Sequence, residues 1–433
     1  MLYRFLHFIL RFWLRIHFRR LFIRSLENVP KSGAAILACN HPNSFLDAIV
    51  VALVLKRKIH FLVRSDVFRK PRVAALLQKM NMIPIYRLEE GNSNLGRNDA
   101  TFSLCFELLK RGELILIFSE GNCVVEKRLR TLKKGTARIW FGAMDYTGWE
   151  KDIAVIPVGI NYTKPYYFRT ELMLNFGAPC PLHSLKEIWQ SEPAKAIRLF
   201  NECLFEAIQR ELLIIPDHAA DEGAEVILDV FRSQTRHPML RWYYPESARF
   251  EHERELLLRL HAQHHAKQLY RDAENFGKGA QKLGIRLEYL DAYISRWQSI
   301  FLLLGFIPAL AGALIHFLPY WISMRSVRKT KFHPKFRSSV LFGSAALSSY
   351  LFYIVSTALL MIIDIRWATV ILTFPFLAWL TVNWTDQLIM RRTRIQTEII
   401  RRKMPEITDA LRHTRDTLLL ESGALNLSPA KIA

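Results

Sequence analysis

Between residues 22 and 216 short apolar runs alternate with amphipathic segments. The runs at 34–38, 59–63, 82–86, 114–118, 154–160 and 172–176 have the length and apolar content of buried strands. Between them, 70–79, 99–110 and 135–144 carry helical patterning, and 89–94 is a polar loop. Such alternation predicts an α/β domain, placed at 26–216. Before it, Arg4, His7, Arg11, Arg15 and Arg19 recur every three or four positions, with Leu2, Phe5, Phe8, Ile9, Phe12, Leu14 and Phe18 filling much of the remaining surface. This predicts a helix from residue 1 to 23, and the segment 1–25 reads as a basic amphipathic membrane-surface helix. An ordinary docking helix is the competing reading. A signal peptide would need a longer uninterrupted apolar core.

After Pro216 and the polar stretch 217–223 the pattern turns helical, giving a helical connector at 217–298. Its His261, His264 and His265 lack a nearby thiol or clear carboxylate partner, so they read as an exposed helix face rather than a metal site. Three stretches without Lys, Arg, Asp or Glu follow at 300–322, 340–363 and 367–384. Each approaches or exceeds the roughly 17–25 residues that a bilayer-spanning helix requires. The region 299–385 is therefore a membrane region with two or three apolar helices, and 386–433 is a basic helical tail.

Composition sharpens that picture. The chain of 433 residues is 51% hydrophobic yet carries a formal net charge of +21. Its basic residues sit beside aromatic and aliphatic ones at the N-terminus and around the C-terminal apolar stretches, which suits an anionic membrane surface. No aromatic-interleaved groove or zinc pattern accompanies the charge, so nucleic acid is not an expected partner. Cys39, Cys105, Cys123, Cys180 and Cys203 are odd in number and form no C-x-x-C pair, which implies neither a disulfide framework nor a zinc site. The basic loop 325–337 and the tail with Arg391, Arg392, Arg394, Arg401, Arg402 and Lys403 both belong in the cytoplasm by the positive-inside rule. To keep the α/β domain on the same side, the stretch 300–322, which contains Gly305, Pro308, Gly312 and Pro319, is expected to be re-entrant or interfacial. Then 340–363 and 367–384 cross as a hairpin, with 364–366 at the outer turn.

Candidate chemistry starts at Asn40-His41-Pro42-Asn43-Ser44-Phe45-Leu46-Asp47, between an apolar run and a helical one. A strand-to-helix turn is where α/β enzymes commonly present reactive groups. Downstream lie Ile83-Pro84-Ile85-Tyr86-Arg87, then Phe118-Ser119-Glu120-Gly121, then Lys133-Lys134-Gly135, then Val155-Ile156-Pro157-Val158. Singly, each has an ordinary reading: a capped turn, a solvated strand end, a plain turn, a surface pair, an edge proline.

In this order and spacing the blocks resemble the glycerolipid acyltransferase family, over about residues 30 to 180. The resemblance implies an acyltransferase domain with a mixed sheet flanked by helices, followed here by the helical connector and the C-terminal transmembrane helices. It implies a general base at His41 oriented by Asp47, with the acceptor held by Asn40, Arg87, Glu120 and Gly121 and assisted by Lys133 and Lys134. Pro157 falls in a block associated with the acyl donor or with the fold. The chemistry suits these residue types, since an imidazole can take a hydroxyl proton as the hydroxyl attacks a thioester, and an arginine fork can hold a phosphate. No metal or resident cofactor is implied; acyl-CoA or acyl-carrier protein enters as co-substrate, and membrane lipids and a phosphate-bearing glycerol acceptor are the expected partners.

Two departures stand out. Five residues separate His41 from Asp47, one more than the commonest family spacing, and Ser119 replaces the usual proline. Neither spacing stacks the two side chains on one straight helix, so 42–46 must bend. The longer spacing and the Ile-Pro-Ile-x-Arg block resemble the fungal glycerol-3-phosphate type. The leading expectation is an integral membrane enzyme with its catalytic domain on the cytoplasmic side, acylating glycerol 3-phosphate in phospholipid biosynthesis. Alternatives are a lysophosphatidate or other lysophospholipid acyltransferase, an inactive membrane scaffold, and a thioesterase-like variant with Cys39 as nucleophile.

Overall fold

The first helix, α1 (Leu2–His17), turns directly into a strand, β1 (Phe18–Arg24), in a computed structural model that describes residues 2–86, 97–235, 237–245, 248–290, 294–329, 334–403 and 405–421. The helix expected to reach residue 23 therefore stops at His17. Tertiary burial decides the matter: Phe18, Leu21, Phe22 and Ile23 are buried in a sheet. Arg19 and Arg20 bind Glu171, and Arg24 binds Glu211 at 2.6 Å, so these arginines meet carboxylates rather than lipid headgroups. On α1 itself, Trp13, Leu14 and Ile16 are buried and His7 Nε2 lies 3.1 Å from Ala52 O, while Phe5, Phe8, Arg11 and Arg15 remain exposed. One face docks; the other keeps the aromatic and basic character of an interfacial helix.

The alternation then proceeds through the predicted strands and helices and ends in two helices that the pattern did not mark out: β2 (Ala35–Cys39), α2 (Ser44–Val54), β3 (Ile59–Arg64), α3 (Pro71–Lys79), β4 (Met82–Ile85), α4 (Arg97–Lys110), β5 (Leu114–Phe118), α5 (Gly135–Tyr146), β6 (Ala154–Tyr162), β7 (Thr170–Phe176), α6 (Lys186–Ser191) and α7 (Pro193–Arg210). These strands lie side by side in the order β4-β3-β5-β2-β6-β7-β1. Neighbours run parallel except β6 and β7, which are antiparallel, so the sheet is mixed. The central β2 is buried along its whole length, as expected of a parallel strand covered on both faces. Cys39 pairs with Phe118, so the residues after β2 and after β5 emerge side by side at the carboxyl edge. That edge is where open α/β sheets place their ligands.

The chain divides into two compact units, Met1–Leu212 with Thr330–Phe342, and Leu213–Lys329 with Gly343–Ala433. The second holds α8 (Asp221–Ser233), the short β8 (Tyr243–Tyr244), α9 (Ala248–Ala262), α10 (Ala266–Lys282), α11 (Arg296–Leu304), α12 (Phe306–Ile315) and α13 (Phe317–Lys329), then most of α14 (Arg337–Ile363), followed by α15 (Phe374–Lys403) and α16 (Pro405–Glu421). Its α8 and α9 are joined by a buried ion pair, Arg232 to Glu253 at 2.6 Å, with Arg249 also 2.6 Å from Glu253. Two stretches, Arg337–Ile363 and Arg366–Ile400, are long and apolar enough to cross a membrane. The first predicted apolar stretch is broken instead: α11 and α12 meet at 52° around Gly305, which makes a third span only if the bent pair counts as one.

Candidate active site

Asn40 leaves the end of β2 with its carboxamide tied to a neighbouring strand. Its Nδ2 donates to Ile160 O at 3.1 Å and its Oδ1 accepts from Ile160 N–H at 2.8 Å. These two bonds lock the start of the turn to β6. His41 follows, and the chain bends as the spacing requires: Asn43 sits at φ −144°, ψ 45°, and Ser44 opens α2 in the left-handed region at φ 49°. For a residue with a Cβ this conformation costs roughly 1–2 kcal/mol, so the surroundings must impose it.

The bend brings His41 Nδ1 to 2.9 Å from Asp47 Oδ2. Asp47 is fully buried, and burial pushes its carboxyl up. Three donors counter that and hold the group in one orientation: His41, the Asn43 N–H at 2.7 Å, and the Tyr162 hydroxyl at 2.8 Å on the other oxygen. Because Asp47 accepts, the geometry assigns the proton to Nδ1 of His41 and leaves a lone pair on Nε2. Among the described residues Nε2 has no hydrogen-bond partner, and the imidazole retains a small exposed surface. Its plane is fixed by stacking on Phe118, with centroids 3.9 Å apart and 12° between planes.

Beside it, β5 delivers the second block. Ser119 N–H donates to Cys39 O at 3.0 Å, extending the β2–β5 ladder by a bond that a proline could not make. Its hydroxyl lies 3.0 Å from Thr136 Oγ1. Glu120 is buried, and loss of solvent pushes its carboxyl up to about 8 despite a bond from the Arg130 backbone, so the neutral acid prevails at neutral pH. Gly121 has φ 74°, and a Cβ there would lie 2.9 Å from Lys133 Cγ, so the Lys133 stem lies over this glycine. Lys133 N–H donates to Ser119 O at 2.8 Å; Lys133 and Lys134 are both exposed just ahead of α5. The structure thus brings His41, Asp47, Glu120, Gly121 and Lys133 to one edge.

Arg87 lies outside the described residues. Pro157 is buried in β6 opposite Ala38, and its carbonyl accepts from Gly177 N–H at 2.8 Å where the β7 ladder ends. A missing N–H is tolerated at that point, so its position is accounted for by the sheet. Cys39 is fully buried, with its thiol pushed up by burial, and offers no nucleophile to a substrate. Tyr162 is a site residue that sequence reasoning missed. It closes the Val-Ile-Pro-Val run, yet its contact with Asp47 spans 115 positions and leaves no local signal. Cys123 is a second: its Sγ accepts from Ser44 N–H at 3.0 Å.

Comparison with known proteins finds similarity over this part of the chain. A family model described as Acyltransferase matches residues 20–161. A chloroplastic 1-acyl-sn-glycerol-3-phosphate acyltransferase of Arabidopsis thaliana is 29% identical over 158 residues, 36% of this chain and 40% of that protein. One from Brassica napus is 29% identical over 139 residues, 31% of this chain and 39% of that protein. Glycerol-3-phosphate O-acyltransferase 1 of Saccharomyces cerevisiae is 35% identical over 74 residues, 17% of this chain and 10% of that protein. The chain thus spans well under half the length of these relatives. Among solved structures, the 1-acyl-sn-glycerophosphate acyltransferase of Thermotoga maritima aligns with 20% identity and a TM-score of 0.34, covering 47% of this chain and 77% of that one.

Proposed function

We propose, from the premise that residues 20–161 are an acyltransferase-family domain, that this protein moves a fatty acyl group from a thioester to a hydroxyl of a glycerol phosphate at a membrane. The observation that carries the reading is the His41–Asp47 pair at 2.9 Å with Nε2 left to a substrate. In the proposed reaction Nε2 takes the acceptor's hydroxyl proton as that oxygen attacks the thioester carbonyl. Asp47 stabilises the imidazolium so formed, and Tyr162 and the Asn43 N–H keep the carboxylate in place. The carbon–oxygen bond forms, the carbon–sulfur bond breaks, and the thiolate leaves with the proton that His41 returns. Acyl-CoA or acyl-carrier protein is the donor on this reading.

Positive charge for the acceptor's phosphate comes from Lys133 and Lys134, with Arg87 as the remaining assigned contact. Glu120, neutral at pH 7, can both donate to and accept from a glycerol hydroxyl. Lysophosphatidate is the favoured acceptor, because the longer matches are to enzymes named for it. Glycerol 3-phosphate stands second, supported by the five-residue His–Asp interval and by the yeast match. Membranes from an expressing strain, given a labelled acyl donor with each acceptor in turn, should show faster transfer to lysophosphatidate; the reverse order would select glycerol 3-phosphate. His41→Ala should abolish transfer while leaving the protein in the membrane, and Asp47→Asn should lower kcat by about 10³–10⁴. Retained turnover in His41→Ala would reject the mechanism.

A further inference from the structure

A helix N-terminus leaves its first N–H groups without intrahelical acceptors, and the cap side chain normally supplies one. In α2 it does not. Asn43 occupies the cap position without a capping bond, and its carboxamide donates to Pro165 O at 3.1 Å instead. The Leu46 N–H reaches back to Asn43 O at 3.2 Å, and a second acceptor arrives from 293 positions along the chain, where Ser339 Oγ takes the same N–H at 3.1 Å. The same hydroxyl donates to Asn43 O at 3.0 Å. One buried side chain therefore brackets the stretch from Asn43 to Leu46, four of the five residues between His41 and Asp47.

We infer that Ser339, in the first turn of α14, is a positioning residue for acyl transfer, an external cap that holds the turn carrying the His41–Asp47 pair. The inference rests on the proposed role of that pair. The bracket encloses the left-handed Ser44, a conformation that persists only where neighbours impose it. It also fixes the carbonyl of Asn43, the residue whose own N–H orients Asp47 at 2.7 Å. The adjacent Ser338 makes a different contact. Its hydroxyl lies 3.1 Å from Nε2 of the buried His17, among Phe18, Phe168 and Phe342, and so docks the helix start, with no hydrogen bond to the turn among the described residues. The active-site turn is thus gripped by the first residues of a helix that is long and apolar enough to cross a bilayer.

The pair of serines separates positioning from docking. In the full chain in membranes, Ser339→Ala should lower kcat about ten- to a hundredfold, with KM for donor and acceptor within about twofold. Ser339→Thr, which keeps the hydroxyl, should recover most of that loss. Ser338→Ala, matched for membrane content and thermal melting, should stay within about twofold of the parent kcat. An unchanged kcat in Ser339→Ala would overturn the inference. So would a parallel loss in Ser338→Ala and Ser339→Ala that tracks the amount of folded protein. His41→Ala assayed alongside keeps the two questions apart: if it is inactive while Ser339→Ala is normal, only the positioning role falls, whereas an active His41→Ala removes the acyl-transfer mechanism itself.

Discussion

Glu120 makes the site sensitive to pH in a direction that its folded environment determines. Its carboxyl ordinarily titrates near 4.5, and burial raises it to about 8. Below the lower value the folded and unfolded chains both hold the proton; between the two only the folded chain does. Stability therefore falls as pH rises through that window and levels off above it. Glu120→Gln, which imitates the neutral acid, should flatten the dependence of melting temperature on pH across about 5 to 9 and remove an alkaline limb near 8 from kcat/KM for the acceptor. A limb that survives in the variant would assign the ionisation to another group. At this scale the sequence was informative where partners are close along the chain. The pairing of His41 with Asp47 was legible through the resemblance of the block to a family pattern, and their short separation added the need for a bend. Tyr162 and Ser339 reach the same turn from 115 and 293 positions away, and a hydroxyl in an apolar run looks the same whether or not it finds a carboxylate. Ser119, which read as a departure from the family pattern, is explained by the N–H it contributes to Cys39 O.

Among the elements, six strand runs were readable because buried parallel strands are short, continuous and apolar, whereas β1 was not. Its Phe-Arg-Arg-Leu-Phe-Ile-Arg pattern does not alternate, and its arginines continue the three-to-four spacing of α1, so a helical period fits as well as any. Burial of its apolar residues is joined by a partner the local pattern cannot show, the distant Glu171 on β7, buried and reached by both Arg19 and Arg20. Removing that carboxylate takes one charged acceptor away from two partly exposed guanidinium groups. Glu171→Gln should therefore lower unfolding stability by about 1–3 kcal/mol, less than a fully buried pair would lose, because water partly screens the arginines. Denaturation of detergent-solubilised protein would read this; an unchanged midpoint would mean that β1 is held by its buried Phe18, Leu21, Phe22 and Ile23 alone.

For the whole molecule, the membrane arrangement is the largest consequence still open to a direct test. The two apolar stretches Arg337–Ile363 and Arg366–Ile400 have the length to cross, and breaks at Gly305 and His316 divide the earlier apolar run among three short helices. A helix of 10 residues such as α12 rises about 15 Å, half of a hydrocarbon core. That length suits a re-entrant path, which the expected topology requires if the basic segment 325–337 and the basic tail both face the cytoplasm. Single cysteines distinguish the arrangements. Ser326→Cys should react with an impermeant thiol reagent only from the cytoplasmic face, and Arg366→Cys, at the exposed turn where Arg366 meets Asp364 at 2.6 Å, only from the opposite face. Labelling of Ser326→Cys from outside would show that the bent pair crosses the bilayer, and would require a different account of where the catalytic unit lies.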